Sequence, residues 1–159
     1  MELVDTLKRK ALNGGEITRD EAIALSSAPL GKLAADEIRT KMCGNGFDIC
    51  TIINGKCGKC SEDCKYCAQS AHYHTDCAES YPLLSTDEIL NEAKYNAERG
   101  VLRYSIVTSG KRLSDAEVNH VCESIKAVRE KVGIEVCVSF GLLEESAFRK
   151  IKEAGASRV

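Results

Sequence analysis

Apolar positions along the chain follow two periods. Leu3, Val4, Leu7 and Ala11 recur at helical spacing and Asn13-Gly14-Gly15 interrupts them, so residues 1–12 are predicted helical. Three later segments open with Ser/Thr-x-x-Glu, the capping box that satisfies orphan N–H groups at a helix start. Thr18–Glu21 precedes Ala22-Ile23-Ala24-Leu25. Ser85–Glu88 precedes Ile89, Leu90, Ala93 and Ala97 on one face. Ser114–Glu117 precedes Val118, Val121, Cys122, Ile125, Val128 and Val132. Residues 29–41 and 142–154 also read as helices, the last ended by Gly155. Between them lie short β-rich runs at residues 47–53, 102–108 and 134–140, and Ala156–Val159 starts a fourth.

From residue 47 the order is strand, loop, helix, strand, helix, strand, helix, strand. Alternation at this spacing predicts an α/β fold built of βα units on a parallel sheet. A closed (β/α)8 barrel takes about 250 residues, and this sequence has 159. The expectation is a partial TIM-type barrel, its first three to four βα units at residues 45–159, preceded by a helical segment at residues 1–44. No low-complexity tract or short-period repeat breaks the pattern.

Charge narrows the function. The net charge is −2, and the basic clusters are short, Lys8-Arg9-Lys10 and Lys111-Arg112. A nucleic-acid binder shows a basic stripe instead, so no nucleic-acid partner is expected. No apolar run approaches the ~20 residues that span a bilayer. The start of the chain has acids among its apolar residues, unlike a signal peptide. A cytoplasmic protein without a membrane partner is expected.

Cysteine is the anomaly. There are nine, an odd number, which with no export signal argues against a disulfide framework and for metal. Four fall in Cys57-Gly58-Lys59-Cys60-Ser61-Glu62-Asp63-Cys64-Lys65-Tyr66-Cys67. Two groupings compete. All four could bind one zinc ion, although the two pairs are only three residues apart, against roughly 12–20 in zinc ribbons. Alternatively, Cys60, Cys64 and Cys67 form C-x3-C-x2-C. Three thiolates on a 4Fe–4S cluster leave one iron open for S-adenosylmethionine (SAM), whose reductive cleavage yields a radical able to take hydrogen from an unactivated carbon. The loop follows the first predicted strand, on the face where barrels keep their sites. Tyr66 is expected to wall the nucleotide.

The run Gly58–Ala71 resembles the cluster loop of biotin synthases: small residue, Cys, Pro or Ser, Glu, Asp or Asn, Cys, x, Tyr, Cys, x, Gln, Ser. Arg103–Gly110 and Glu135–Gly141 are similar to that family's second- and third-strand segments, so the resemblance covers nearly the whole chain. Members are about twice as long, and a fragment inactive by itself is implied. The resemblance implies radical SAM insertion of sulfur into dethiobiotin, with Cys60, Cys64 and Cys67 on the 4Fe–4S cluster. It also implies an auxiliary cluster, usually 2Fe–2S, that donates the sulfur. Cys137 matches one auxiliary ligand. Ser105 stands where the family has another cysteine, and serine replaces thiolate poorly on iron, so an auxiliary cluster of variant type is one reading. Ser109 and Gly110 fall where this superfamily often contacts the methionine part of SAM. A reduced flavodoxin- or ferredoxin-type donor and a full-length homodimer are further implied. The rivals are another radical SAM barrel enzyme, such as a hydrogenase maturase or a methylornithine synthase relative, and a non-catalytic metal-binding module.

The remaining thiols have plainer readings. Cys122 lies on the apolar face of a predicted helix and is expected in the core. Cys43, Cys50 and Cys77 belong to no motif, and Cys57 matches no family ligand. Without the family, Cys137 reads as a buried strand residue. His72 and His74, flanking Tyr73, read as polar loop residues.

Overall fold

The structure, a computed structural model, describes residues 2–28, 31–75 and 79–159, with the backbone alone at residues 31–33. The start of the first predicted helix, residues 29 and 30, and Cys77 lie outside the described residues. The chain divides into two compact units, Met1–Phe47 and Asp48–Val159.

The first unit holds α1 (Glu2–Leu12), α2 (Arg19–Ser26) and α3 (Gly31–Cys43). Helix α1 buries Val4 and Leu7, two residues of the predicted stripe. Thr18 caps α2 reciprocally with Glu21, and Lys10 pairs with Glu21 at 2.7 Å, tying α1 to α2.

The second unit is a four-stranded sheet in the order β1-β2-β3-β4. Its strands are β1 (Cys50–Lys56), β2 (Arg103–Thr108), β3 (Glu135–Ser139) and β4 (Ala156–Arg158), and every neighbouring pair is parallel. Connecting them are α4 (Thr86–Ala97), α5 (Asp115–Lys131) and α6 (Glu145–Glu153). Each strand lies beside the one before it without reversal of order, which is how a βα barrel wall grows; a doubly wound sheet reverses at a switch point.

Side chains alternate across a sheet. Tyr104 and Ile106 of β2 and Val136 and Val138 of β3 are buried in one core with Ile89, Leu90 and Ala93 of α4, Val118, Val121, Ile125 and Val128 of α5, and Ala147 and Ile151 of α6. Cys122 belongs to it too, as its helical position predicts, and burial pushes its thiol pKa up. The intervening residues Ser105, Val107 and Cys137 face the other way and are only half-buried. Cys137 is therefore not the buried strand cysteine that bare sequence suggests.

The first strand differs from its prediction. Residues 47–49 lie before β1, and Phe47 is 86% exposed. The strand instead runs through Asn54-Gly55, a pair that reads as a turn. Here Gly55 serves close approach, since a Cβ on it would lie 3.2 Å from Ile106 Cγ2. A register shift between Asn54 and Lys56 marks the irregularity. Helix α6 also begins three residues later than expected, because Glu144 is extended (φ −75, ψ 156) and stands as its N-cap.

Candidate metal-binding loop

Parallel strands deliver their following loops to one end of the sheet. Residues 57–75 and 79–85 follow β1, 109–114 leave β2 and 140–144 leave β3, all at the C-terminal edge. The loops are stitched together there. The Ser109 N–H donates to Lys56 O at 2.8 Å, and Ser109 Oγ donates to Gly58 O at 3.0 Å. Arg112 bridges Gly141. Gly141 has φ +76, and a Cβ there would lie 2.2 Å from Lys111 O. Below the loops, Lys56 pairs with Glu117 at 2.6 Å. Burial pushes the Glu117 carboxyl up, but the Lys56 ammonium and the Ser114 hydroxyl and N–H outweigh it and hold the pKa below the ordinary 4.5.

The cysteine loop begins with a sharp reversal. Gly58 has φ +80 and Lys59 φ +50, a left-handed conformation that a β-carbon disfavours. The Cys60 N–H then donates to Gln69 O at 3.0 Å, and the Ala71 N–H to Cys60 O at 2.8 Å. Inside that closure, the Cys67 N–H donates to Cys64 O at 3.0 Å. Gln69 Oε1 accepts from the Gly58 N–H at 3.1 Å.

Side chains after the cysteines reach back between them. Ser70 Oγ donates to Glu62 O at 2.7 Å, and His72 Nε2 donates to Ser61 O at 3.0 Å. Tyr73 Oη donates to Asp63 Oδ1, and Thr75 Oγ1 to Ala68 O at 2.8 Å. The Tyr73 bond, and after it Lys65, holds the Asp63 carboxyl below its ordinary range; the same bond raises the Tyr73 phenol. His72 thus has a definite fastening role, which the reading as a polar loop residue did not specify. Gln69, Ser70, Tyr73 and Thr75 were visible only as motif letters or as plain loop.

Cys60 and Cys67 are half-buried, Cys64 is exposed, and none is disulfide-bonded. Tyr66 is 95% exposed. Cys57 is 4% exposed, and its backbone pairs with Tyr81 instead. Among the described residues, no three His, Cys, Asp or Glu side chains converge on one point to hold a single ion. Cys57, the fourth thiol of the zinc grouping, is buried, whereas Cys60 and Cys67 are half-buried and Cys64 is exposed. A four-iron cluster asks for something different, one thiolate per iron at separate corners. Three unpaired thiols spread along one fastened loop fit that demand.

The auxiliary positions lie apart from this loop, mid-strand on the sheet face away from the core. Ile52, Ser105 and Cys137 form one cross-strand row. Ser109 is buried with its hydroxyl on Gly58, and Gly110 follows at φ +105. Among the described residues, no helix is long and apolar enough to cross a membrane.

Comparison with known proteins agrees with this architecture. The chain is 50% identical over 161 residues to biotin synthase 2 of Corynebacterium diphtheriae, covering 100% of this chain and 49% of that protein. It is 54% identical over 160 residues to the biotin synthase of Akkermansia muciniphila, covering 99% and 50%. It thus spans about half the length of the relatives it matches. Among solved structures, methylornithine synthase matches with a TM-score of 0.71 at 21% identity, over 94% of this chain and 45% of that one. HydG, a maturase of the FeFe-hydrogenase, also gives 0.71, at 19% identity, over 98% and 36%. At these identities the two structures speak for the fold alone. The model of the Radical SAM superfamily matches residues 56–159, from the end of β1 through the cysteine loop to β4, and the chain belongs to that superfamily.

Proposed function

We propose that this chain is the N-terminal half of a biotin synthase, and that the whole protein inserts sulfur into dethiobiotin. The observation that carries the reading is the loop Gly58–Ala71, set at the C-terminal end of β1 with its three thiols unpaired. The near 50% identity to biotin synthases along the whole chain supports it.

Cys60, Cys64 and Cys67 are the residues that would hold the 4Fe–4S cluster. When bound, such a cluster supplies the electron for reductive cleavage of SAM. The chain's own part is to hold the thiols and exclude water at the loop's base, where Ser70 and Ser109 are buried. Ser109 braces the turn before Cys60, and its neighbour Gly110 is the proposed contact for the methionine part of SAM. Tyr66, exposed beside Cys67, offers an apolar wall to the nucleotide. Cys137 is the proposed auxiliary ligand, and Ser105 beside it makes a variant auxiliary cluster part of the proposal. A flavodoxin- or ferredoxin-type donor, a full-length homodimer and a cytoplasmic location complete it.

The test is biotin formation by the full-length protein carrying this chain, supplied with dethiobiotin, SAM and a reductant. Biotin formed by the wild type and not by Cys64→Ala is the expected result. SAM cleavage without conversion of dethiobiotin would place the protein with another radical SAM activity.

A further inference from the structure

Every residue between Cys60 and Cys64 is gripped from the same segment. The Ser61 carbonyl takes the His72 Nε2–H at 3.0 Å, the Glu62 carbonyl takes the Ser70 hydroxyl at 2.7 Å, and the Asp63 carboxylate takes the Tyr73 hydroxyl. The grip extends to both ends of the loop. Gln69 Oε1 holds the Gly58 N–H before Cys60, and Thr75 Oγ1 holds the Ala68 carbonyl after Cys67. Ser70 is itself 4% exposed, and its Oγ also accepts from the His72 N–H at 3.3 Å. Five side chains within seven residues therefore point back at one eleven-residue loop that has no regular secondary structure of its own.

We propose that residues 69–75 act as a strap that presets the spacing of Cys60, Cys64 and Cys67 before metal arrives, with Ser70, His72 and Tyr73 as positioning residues. The inference rests on the assignment of those three cysteines as cluster ligands. Its physical basis is preorganisation. A loop of this length has large backbone entropy to lose when three of its residues are pinned to separate irons. Hydrogen bonds made within the protein remove part of that loss beforehand. The strap also explains why Asp63, Gln69 and Ser70 stand where they do, since their side chains fasten the loop and need not touch metal.

Two measurements on the 159-residue chain separate the strap from the ligand assignment. The first needs no metal: amide hydrogen exchange of the apo chain. In Ser70→Ala/Tyr73→Phe, protection of the Cys60, Cys67 and Ala71 amides should fall at least tenfold, while the amides of β2 and β3 keep theirs. Unchanged loop protection overturns the strap, whatever the cysteines bind. The second measures iron loss from the anaerobically reconstituted chain to a ferrous-iron chelator. Outer partners of metal ligands typically contribute about 10–100-fold in affinity, so loss from the double variant should quicken about tenfold or more. Asp63→Ala should act like Tyr73→Phe, their combination should add little, and Asp63→Asn, which keeps an acceptor oxygen for Tyr73, should restore slow loss. Equal loss rates in all these variants overturn the strap as a positioning device. Full iron content in Cys64→Ala overturns the ligand assignment and, with it, the strap's purpose, while the exchange result still reports whether the fastening exists.

Discussion

Ser105 of β2 and Cys137 of β3 are directly paired in the parallel ladder, on the face of the sheet opposite α4, α5 and α6. Adjacent strands lie about 4.8 Å apart, so a metal group on Cys137 would meet the Ser105 hydroxyl before any other β2 side chain. The substitution Ser105→Cys in the full-length protein should therefore raise bound iron after reconstitution. It should be made under reducing conditions, because this spacing also falls in the range of about 4.4–6.8 Å that disulfides accept. No gain in iron, with sulfur insertion intact, would show that the auxiliary cluster is built on other ligands.

Replacing Cys60, Cys64 or Cys67 by Ala should each abolish the visible iron–sulfur absorption of the reconstituted chain. Cys57→Ala should retain it, because Cys57 is buried, with its backbone bridged to Tyr81. Equal loss from all four substitutions would return the four-cysteine reading.

Much of this was legible in the sequence because local and tertiary signals agree. The three Thr/Ser-x-x-Glu segments form reciprocal capping boxes at Thr18, Ser85 and Ser114. The apolar faces at Ile89, Leu90 and Ala93 and at Val118 through Val128 are the buried faces of α4 and α5. The end of β1 was misread where local chemistry and tertiary packing conflict: Asn54-Gly55 signals a turn, yet the strand runs through it to Lys56, with Gly55 close against Ile106 Cγ2. The strap was invisible for another reason. Ser70, His72, Tyr73 and Thr75 have no periodicity, and their partners are mostly backbone carbonyls, which carry no letter in a sequence.

Glycines at left-handed positions should rank by what surrounds them. Gly133 has φ +80 with nothing within 4 Å of an added Cβ, so Gly133→Ala should cost only the conformational strain of about 1–2 kcal/mol. Gly58→Ala adds a contact at 2.9 Å to Ser80 Cβ, and Gly141→Ala one at 2.2 Å to the Lys111 carbonyl. The melting temperature should fall least for Gly133→Ala and most for Gly141→Ala, where the obstacle is backbone and must itself move. Equal losses would show that the loop stitching at Gly141 yields freely.

Acid should loosen the second unit through its capping glutamates. Glu88 and Glu117 are both held below the ordinary 4.5, Glu88 by the Ser85 hydroxyl and N–H, and Glu117 by Lys56 and Ser114 against its burial. A carboxylate depressed in the folded state stabilises fully above its unfolded pKa, and that contribution fades as pH falls through the folded value. Stability measured by urea unfolding should therefore be flat near neutrality and decline below about pH 4.5. Glu117→Gln should lower the neutral plateau and flatten the decline, and a variant with an unaltered pH profile would refute the linkage.

The face of the sheet opposite these helices sets how the 159-residue chain behaves by itself. Parallel sheets are normally covered on both faces, whereas within this unit α4, α5 and α6 cover one. Ile52, in the row with Ser105 and Cys137, is 71% exposed on the other. The edges at β1 and β4 add unpaired backbone groups. Exposed apolar surface next to free strand edges favours pairing with a second copy, so the chain should self-associate as its concentration rises in sedimentation velocity. Ile52→Lys removes apolar area and places a charge at the edge strand without touching the core formed by Tyr104, Ile106, Val136 and Val138. It should shift the distribution toward monomer with an unchanged circular dichroism spectrum. A wild-type chain that remains monomeric across the whole concentration range would mean that this face is not adhesive. A variant that associates as strongly as wild type would place the contact elsewhere, for instance on the exposed Phe47 or Met42 of the helical unit.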